Sequence, residues 1–196
     1  MATNTPTLQS QDFILRPFGT KHVTKRYQQW LTDPKVVRFL EVRHTDRSMP
    51  ALRKYVRDVI GNPHRHMFLI VARNGSDRIG TIALEINPVH RIASFGYLIG
   101  NKSYWGGTTA QQIQIAFFDF AFLDLKLRRI YGGVYANNTA SHFNYRQMGF
   151  RREGVLRQHC IDDRMGVVDV VYYGLLRDEW LVIRNHFDEL ITHENS

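Results

Sequence analysis

The residues best suited to chemistry begin with a glycine turn at residues 103–110, which read Ser-Tyr-Trp-Gly-Gly-Thr-Thr-Ala and precede a long apolar segment. The first N–H groups of a helix lack intrahelical partners and carry the positive end of the helix dipole. Glycines let such a backbone close around an anion. The turn therefore predicts a phosphate site, although a glycine turn capped by Thr108 or Thr109 also begins helices that bind nothing.

A second group of polar side chains follows further along the chain. Asn138, Ser141 and Tyr145 are spaced i, i+3 and i+7. On a helix this spacing places an amide, a hydroxyl and a phenol on one face. The same spacing also describes an ordinary solvated helix face, so by itself it leaves the function open.

The elements that would hold these residues form a continuous unit. Apolar residues at helical spacing predict a helix over about 107–125 that is buried on most sides. Residues 128–136 are rich in aromatic and β-branched side chains and predict a strand. Residues 137–149 then predict a shorter helix that ends at Gly149. The unit is strand, anion turn, helix, strand, helix.

The remaining pattern predicts a mixed sheet with helical connections. A first helix is predicted from about His22 to Leu31, and a second follows an N-cap at Ser48 and ends at Ile60. Asn74-Gly75 is a hairpin signal between two strands. Further strands are predicted at about 13–17, 67–72, 79–86, 154–161 and 167–176. Hairpins mixed with helical crossovers predict a single α/β sandwich.

Composition favours one globular domain and excludes several classes of protein. The chain has 196 residues, 43% of them hydrophobic, with no apolar run near the ~20 residues of a membrane span and no secretory signal at its polar start. The single cysteine, Cys160, excludes an internal disulfide framework and suits the cytoplasm. The formal net charge of +8 indicates an acidic partner. His64 and His66 have no acid or cysteine at ligand spacing, so no metal is expected.

Several motifs in order carry a resemblance to a known family. They are Gly96-Tyr-Leu-Ile-Gly100, the turn itself, Asn138-Thr-Ala-Ser141, Gly149-Phe150 and Glu153-Gly-Val-Leu-Arg157. At this spacing the chain resembles the GNAT superfamily of acetyl-CoA-dependent N-acetyltransferases, within it the ribosomal-protein (Rim-type) branch. The resemblance implies one N-acetyltransferase domain over 1–196, with a mixed, mostly antiparallel sheet flanked by helices and with splayed central strands. Residues 1–10 are then expected to be a flexible N-terminus and 187–196 a C-terminal tail.

The chain departs from the family pattern at two places. The family's turn usually has Gln or Arg where this chain has Ser103, and Gly or Ala where it has Thr108, whose side chain would lie near the pyrophosphate. The family also often supplies a carboxylate base from the strand before the turn. Here that strand reads Ile-Ala-Ser-Phe-Gly-Tyr at residues 92–97 and contains no acid.

The resemblance implies acetyl-CoA as the acetyl donor. The turn would bind its pyrophosphate through main-chain N–H groups, and N–H groups of the splayed strand would stabilise charge on the reacting carbonyl oxygen. The residues implied in binding the donor are Tyr97, Leu98, Ile99, Gly106, Gly107, Thr108, Thr109, Ala110, Asn138, Ser141 and Tyr145.

Acetyl transfer to a primary amine also requires an acid and a base. The amine, with a pKa of about 8 to 10, is mostly protonated at neutral pH and must lose a proton before it attacks. Glu85 and Glu41 are the candidate bases, followed by His159, although each is of a type that is common on surfaces. Tyr145 stands where many family members place the acid that protonates the leaving thiolate, although it could also be a packed aromatic residue.

The sequence leaves the identity of the amine acceptor open between several classes. Residues 39–43, Phe-Leu-Glu-Val-Arg, resemble relatives that acetylate amino sugars, and an arginine-rich cleft would suit a nucleotide-linked sugar. The ribosomal branch instead acetylates a protein N-terminus, and a cationic polyamine fits a basic chain less well. The resemblance also allows a homodimer, because dimers are frequent in the family.

Two alternatives of other classes remain. A GNAT-like protein could bind CoA without turnover, since the strand carboxylate is missing. A basic nucleic-acid-binding module would need aromatic residues on an exposed strand beside its arginines, and no such signature is present. Nucleic acid and membranes are therefore not expected as partners.

Overall fold

The computed structural model describes residues 5–74 and 77–193, with side chains described as far as residue 187. Within them the chain forms, in order, β1 (Leu8–Gln9), β2 (Phe13–Pro17), α1 (Lys25–Thr32), α2 (Met49–Ile60), β3 (Arg65–Ala72), β4 (Arg78–Asn87), β5 (Ile92–Ile99), α3 (Thr109–Asp119), β6 (Arg129–Tyr135), α4 (Thr139–Gln147), β7 (Arg151–Asp162), β8 (Gly166–Leu176) and α5 (Arg177–His193). Short 3-10 turns lie at Thr20–His22, Glu41–His44 and Lys102–Tyr104.

The strands form one sheet in the order β1-β2-β3-β4-β5-β6-β8-β7. All neighbouring pairs are antiparallel except β5 and β6, which are parallel. Parallel neighbours need a crossover connection, and α3 provides it. The fold is therefore the single α/β domain with a mixed, mostly antiparallel sheet that the sequence predicts.

Apolar side chains cover both faces of the sheet. One core contains Phe68 of β3 and Trp180 of α5, together with the phenylalanines of α3. The other contains Leu52 of α2 and the β3 residues Met67 and Leu69. Because successive side chains of a strand point to opposite faces, β3 supplies both cores and reads as a continuous apolar run.

The helix starts follow their capping residues. Ser48 caps α2, and the helix ends at Ile60 as predicted. Thr24 caps α1, which therefore begins later than predicted, because His22 belongs to a 3-10 turn instead. The long apolar helix begins at Thr109, and its backbone widens into a π turn at Phe120–Asp124.

At both ends of the described chain the structure has elements that the sequence did not predict. Within the N-terminal stretch expected to be flexible, Leu8 and Gln9 pair with β2. At the other end, α5 continues to His193 through most of the expected tail. Trp180 is fully buried, and its indole Nε1 donates to Asp119 Oδ1 at 3.0 Å. The sequence pattern did not predict this helix, because a polar helix can be stabilised by a few buried aromatic contacts that leave no regular apolar spacing.

Two further expectations concern the hairpin and the membrane. The predicted hairpin at Asn74-Gly75 lies partly outside the described residues, although β3 and β4 pair as it requires. Among residues 5–74 and 77–193, no helix combines the length and the apolar character needed to cross a bilayer.

Candidate active site

The centre of the sheet opens between its two parallel strands. β5 and β6 pair only from Ile92–Arg129 to Ser94–Tyr131, while β5 continues to pair with β4 as far as Ile99. Beyond Ser94, alternate N–H and C=O groups of β5 therefore face a gap instead of a strand. These are the splayed central strands that the family resemblance implies.

The glycine turn lies beside this gap. Gly106 and Gly107 both have positive φ, +84° and +54°, and apart from their chain neighbours no heavy atom of the described residues lies within 4 Å of a Cβ added at either. Thr108 is the N-cap of α3, but its side chain makes no capping bond. Its hydroxyl instead accepts from Gln112 Nε2 at 3.2 Å. The first N–H groups of α3 are thus left without side-chain caps, which suits an anion.

A cavity of about 630 Å³, here named the turn cavity, extends from this turn along the gap to α4. Except for Thr108 and Thr109, all the residues that the resemblance implied for the donor line it, namely Tyr97, Leu98, Ile99, Gly106, Gly107, Ala110, Asn138, Ser141 and Tyr145. Asn138 is not on the helix face that its spacing suggested. It is the N-cap of α4, and its side chain accepts from Ser141 N at 3.2 Å.

A second cavity of about 560 Å³, here named the α2 cavity, lies between β3–β5 and the helices α1 and α2. Both candidate bases, Glu41 and Glu85, line it. Leu40 and the β5 residues 95–98 line both cavities, so the two meet at the splayed part of β5. Gly96 lies at this junction, where an added Cβ would meet nothing within 4 Å.

Tyr145 is buried in an aromatic cluster on the turn-cavity side. Its ring lies 4.8 Å from Phe150 and 5.2 Å from Tyr173, measured between centroids. Its hydroxyl points at β6, 2.3 Å from where a Cβ on Gly132 would be. Burial, reinforced by the neighbouring phenols, raises the pKa of Tyr145 far above its ordinary value. The phenol is therefore protonated throughout the physiological range, so its hydroxyl has a proton to donate and does not act as an anionic base.

The candidate bases differ in their surroundings. Glu85 forms an ion pair with Arg65 at 2.7 Å, and its side chain is 61% exposed. Glu41 instead accepts a hydrogen bond from the Tyr135 hydroxyl and lies 4.0 Å from Cys160 Sγ. Burial, followed by the hydrogen bonds to Glu41 and Cys160, raises the pKa of Tyr135, so this phenol also stays protonated.

His66 is not available to a metal in the way its sequence spacing could suggest. It is buried, with its ring 5.3 Å from that of Phe120 and its Nδ1 3.1 Å from Thr5 Oγ1. Burial lowers the pKa of His66. Within the part of the chain that the structure describes, no three His, Cys, Asp or Glu side chains are grouped as metal ligands.

Several residues at the site were not singled out from the sequence. Trp105 lines the turn cavity, and its indole Nε1 donates to the Ile99 carbonyl at 2.7 Å, one of the β5 groups beyond the pairing with β6. Gln114 is buried on α3 and accepts from Asn144 Nδ2 at 2.9 Å. Its only sequence signal is an amide in the middle of an apolar helix. Tyr135 carried no signal beyond its place in a strand.

Comparisons with known proteins agree with this geometry. A family model for the acetyltransferase (GNAT) domain matches residues 12–151. The uncharacterized N-acetyltransferase p20 of Bacillus licheniformis is 26% identical over 178 residues, which cover 89% of this chain and 98% of that protein.

Two solved structures with the same fold belong to enzymes that are named for different acceptors. RimL, a ribosomal L7/L12 alpha-N-protein acetyltransferase in complex with coenzyme A, has a TM-score of 0.77 at 22% identity, over 87% of this chain and 98% of that one. A chimera of the Vibrio cholerae spermidine N-acetyltransferase SpeG and hSSAT also has a TM-score of 0.77 at 22% identity, over 87% and 99%. The fold alone therefore does not select an acceptor. The chain belongs to the GNAT family of acetyltransferases and is an acyl-transferring enzyme.

Proposed function

We propose that this N-acetyltransferase transfers acetyl from acetyl-CoA directly to a primary amine, with the donor in the turn cavity and the amine in the α2 cavity. The observation that carries the proposal is the junction of the two cavities at the splayed part of β5. A donor and an acceptor that enter from opposite sides would meet there without a covalent enzyme intermediate. The uncapped start of α3 would bind the pyrophosphate.

The residues around the junction suit each step of this reaction. The thioester supplies an activated acetyl group. N–H groups of β5 that face the gap would stabilise the negative charge that develops on its carbonyl oxygen. The amine nitrogen forms a bond to that carbon as the carbon–sulfur bond breaks, and the electron pair leaves on sulfur. The open side of Gly96 gives the reacting carbon room.

Tyr145 is the proposed general acid. Its phenol is protonated and lines the turn cavity. Because burial disfavours a free phenolate, it would give its proton to the leaving sulfur only as it takes up the proton released by the amine in the same step. Each turnover then releases one net proton from an ammonium acceptor, together with free CoA thiol and the acetylated amine.

Glu41 is the proposed base, in preference to Glu85. The Glu85 carboxylate already has a cationic partner in Arg65, and its side chain is largely exposed. Glu41 lies on the wall of the α2 cavity and has no ion pair among the described residues.

A nucleotide-linked amino sugar is the first candidate acceptor, and a protein N-terminus is the second. The α2 cavity has the volume of a small-molecule site. Its wall adds the hydroxyls of Thr45, Thr81 and Ser94 to an apolar floor, which suits a sugar. The family's ribosomal branch supports the second candidate only through a shared fold.

The expected arginine-rich cleft is only partly formed. Arg38 lies 3.7 Å from the buried Asp162, and Arg43 donates to the backbone carbonyls of Arg38 and Ile161. Arg65 does line the α2 cavity. A sugar phosphate would therefore have to compete with Glu85 for this guanidinium, which makes the acceptor panel the decisive experiment.

The test measures free CoA thiol released from acetyl-CoA with amino-sugar nucleotides, peptides with ribosomal-protein N-termini, and polyamines. Glu41→Gln and Tyr145→Phe are expected to lower turnover by about 10²-fold with CoA affinity unchanged, whereas Glu85→Gln, the matched control, stays near wild type. Tight CoA binding with no release from any amine would favour a CoA-binding protein without turnover. Absence of both binding and release would refute the proposed function.

A further inference from the structure

Three side chains from two distant parts of the chain meet at the boundary of the two cavities. Glu41 and Arg43 lie on the 3-10 turn Glu41–His44, and Tyr135 is the last residue of β6. The Tyr135 hydroxyl donates to Glu41 Oε1. Arg43 Nη2 donates to the same hydroxyl at 3.4 Å, and its guanidinium carbon lies 5.4 Å from the centre of the phenol ring. These residues are named the Glu41–Tyr135–Arg43 cluster.

The surroundings leave this hydroxyl one orientation. Arg43 also donates to the carbonyls of Arg38 and Ile161, so its guanidinium is held by the backbone on two sides. The Tyr135 side chain is 6% exposed, and its ring lies 6.0 Å from that of Phe39. Because the hydroxyl accepts from Arg43, its own proton is directed to Glu41.

The cluster spans the boundary between the donor and acceptor sides. Tyr135 lines the turn cavity, and Glu41 lines the α2 cavity. The hydrogen bond occupies one carboxylate oxygen of Glu41, and Cys160 from β7 approaches the same oxygen. Among the described residues Glu41 Oε2 has no hydrogen-bond partner, so it is the oxygen that can accept a proton from an amine.

We propose that Tyr135 is a positioning residue for acetyl transfer, which holds the Glu41 carboxylate at the junction of the two cavities and is itself held by Arg43. This inference rests on the proposed function, because it assigns a role to the neighbour of the proposed base. Without the phenol, a carboxylate on a short 3-10 turn would have several rotamers, and only some of them would face the acceptor.

Tyr135→Phe is the test, because it removes the hydroxyl and keeps the ring that packs on Phe39. We expect kcat/KM for the acceptor to fall about tenfold or more. The loss should fall mainly on kcat and not on the KM for the acceptor, because the carboxylate is misplaced while the rest of the α2 cavity is unchanged. The Kd for CoA should stay within about twofold of wild type. Tyr131→Phe, on the same strand and away from both cavities, is the matched control.

A double-mutant cycle with Glu41→Gln separates positioning from packing. If Tyr135 acts through Glu41, Tyr135→Phe should have little further effect once Glu41→Gln is present. Equal losses in both backgrounds, or a loss confined to the KM for the acceptor, would overturn the positioning role. If Glu41→Gln leaves wild-type turnover unchanged, the base assignment fails and this inference with it, while acetyl transfer itself stands. If the wild-type protein does not bind CoA at all, the proposed function itself is contradicted.

Discussion

Gly132→Ala should impair catalysis although Gly132 lines neither cavity. Its added Cβ would lie 2.3 Å from the Tyr145 hydroxyl and 3.2 Å from Tyr145 Cζ. Ordinary contacts of this kind are about 3.5 Å, so the hydroxyl must move by about 1 Å. β6 cannot easily yield instead, because it pairs with β8 along its whole length, from Arg129 to Tyr135.

The size of the effect follows from this displacement. A misplacement of about 1 Å in a catalytic group can cost about 10²-fold in rate, so kcat should fall by about that factor while the Kd for CoA changes little. Overpacking of a well-filled site should also lower the free energy of unfolding by about 1–3 kcal/mol. Thiol release measures the first quantity and urea denaturation the second. Gly154→Ala is the matched control, since its Cβ would meet nothing within 4 Å.

A second substitution identifies the atom responsible. In the Tyr145→Phe background the oxygen is gone, and the nearest ring atom to the new Cβ is Cζ at 3.2 Å. Most of the stability lost in Gly132→Ala should therefore be absent there. Equal destabilisation by Gly132→Ala in both backgrounds would mean that the Tyr145 hydroxyl does not lie beside Gly132. An unchanged kcat would count against Tyr145 as the general acid.

Three further predictions follow from the site. Gly96→Val should leave the free energy of unfolding in urea near wild type, because the new side chain enters open space. It should abolish thiol release, because the side chain would obstruct the junction of the two cavities. Wild-type turnover would exclude Gly96 from the reaction path. Thr108→Gly should change the calorimetric Kd for CoA by less than about threefold, because the Thr108 hydroxyl already bonds to Gln112. A large gain in CoA affinity would mean that the Thr108 side chain blocks the pyrophosphate. Stability should fall as the pH rises from about 10 to 12. Burial raises the pKa of Tyr97 to about 12, so the folded state keeps a proton that the unfolded state loses above about 10. Urea denaturation at pH 8 and 11 checks this, and equal free energies of unfolding would contradict it.

Much of the fold could be predicted because its signals are local. The cap at Ser48, the glycine turn before α3 and the stop at Gly149 are each encoded within a few neighbouring residues, and the structure has them where the sequence predicts them. The sequence predicts helical crossovers in a mixed sheet, and α3 is one of them, because it joins the parallel neighbours β5 and β6. α5 was missed because what holds it, the burial of Trp180 against distant rings, leaves no local pattern.

Some residues of the candidate site could likewise be predicted from the sequence, and others could not. The turn residues and the β5 residues at the gap are close in sequence, and their roles as cavity wall could be predicted from motif order. The roles of the carboxylates and arginines could not. Glu85 finds Arg65 on a neighbouring strand, and Arg43 reaches the backbone of Ile161 from far along the chain.

The sequence by itself determined that this chain is an α/β domain with a glycine turn at a helix start, because backbone conformation and burial depend on residue type and short-range spacing. Only the tertiary structure decided which charges remain available at the junction of the cavities. Glu41 and Tyr135 are 94 residues apart, yet one hydrogen bond joins them. A side chain's chemistry depends on the groups within a few ångströms of it, and these are brought together by folding.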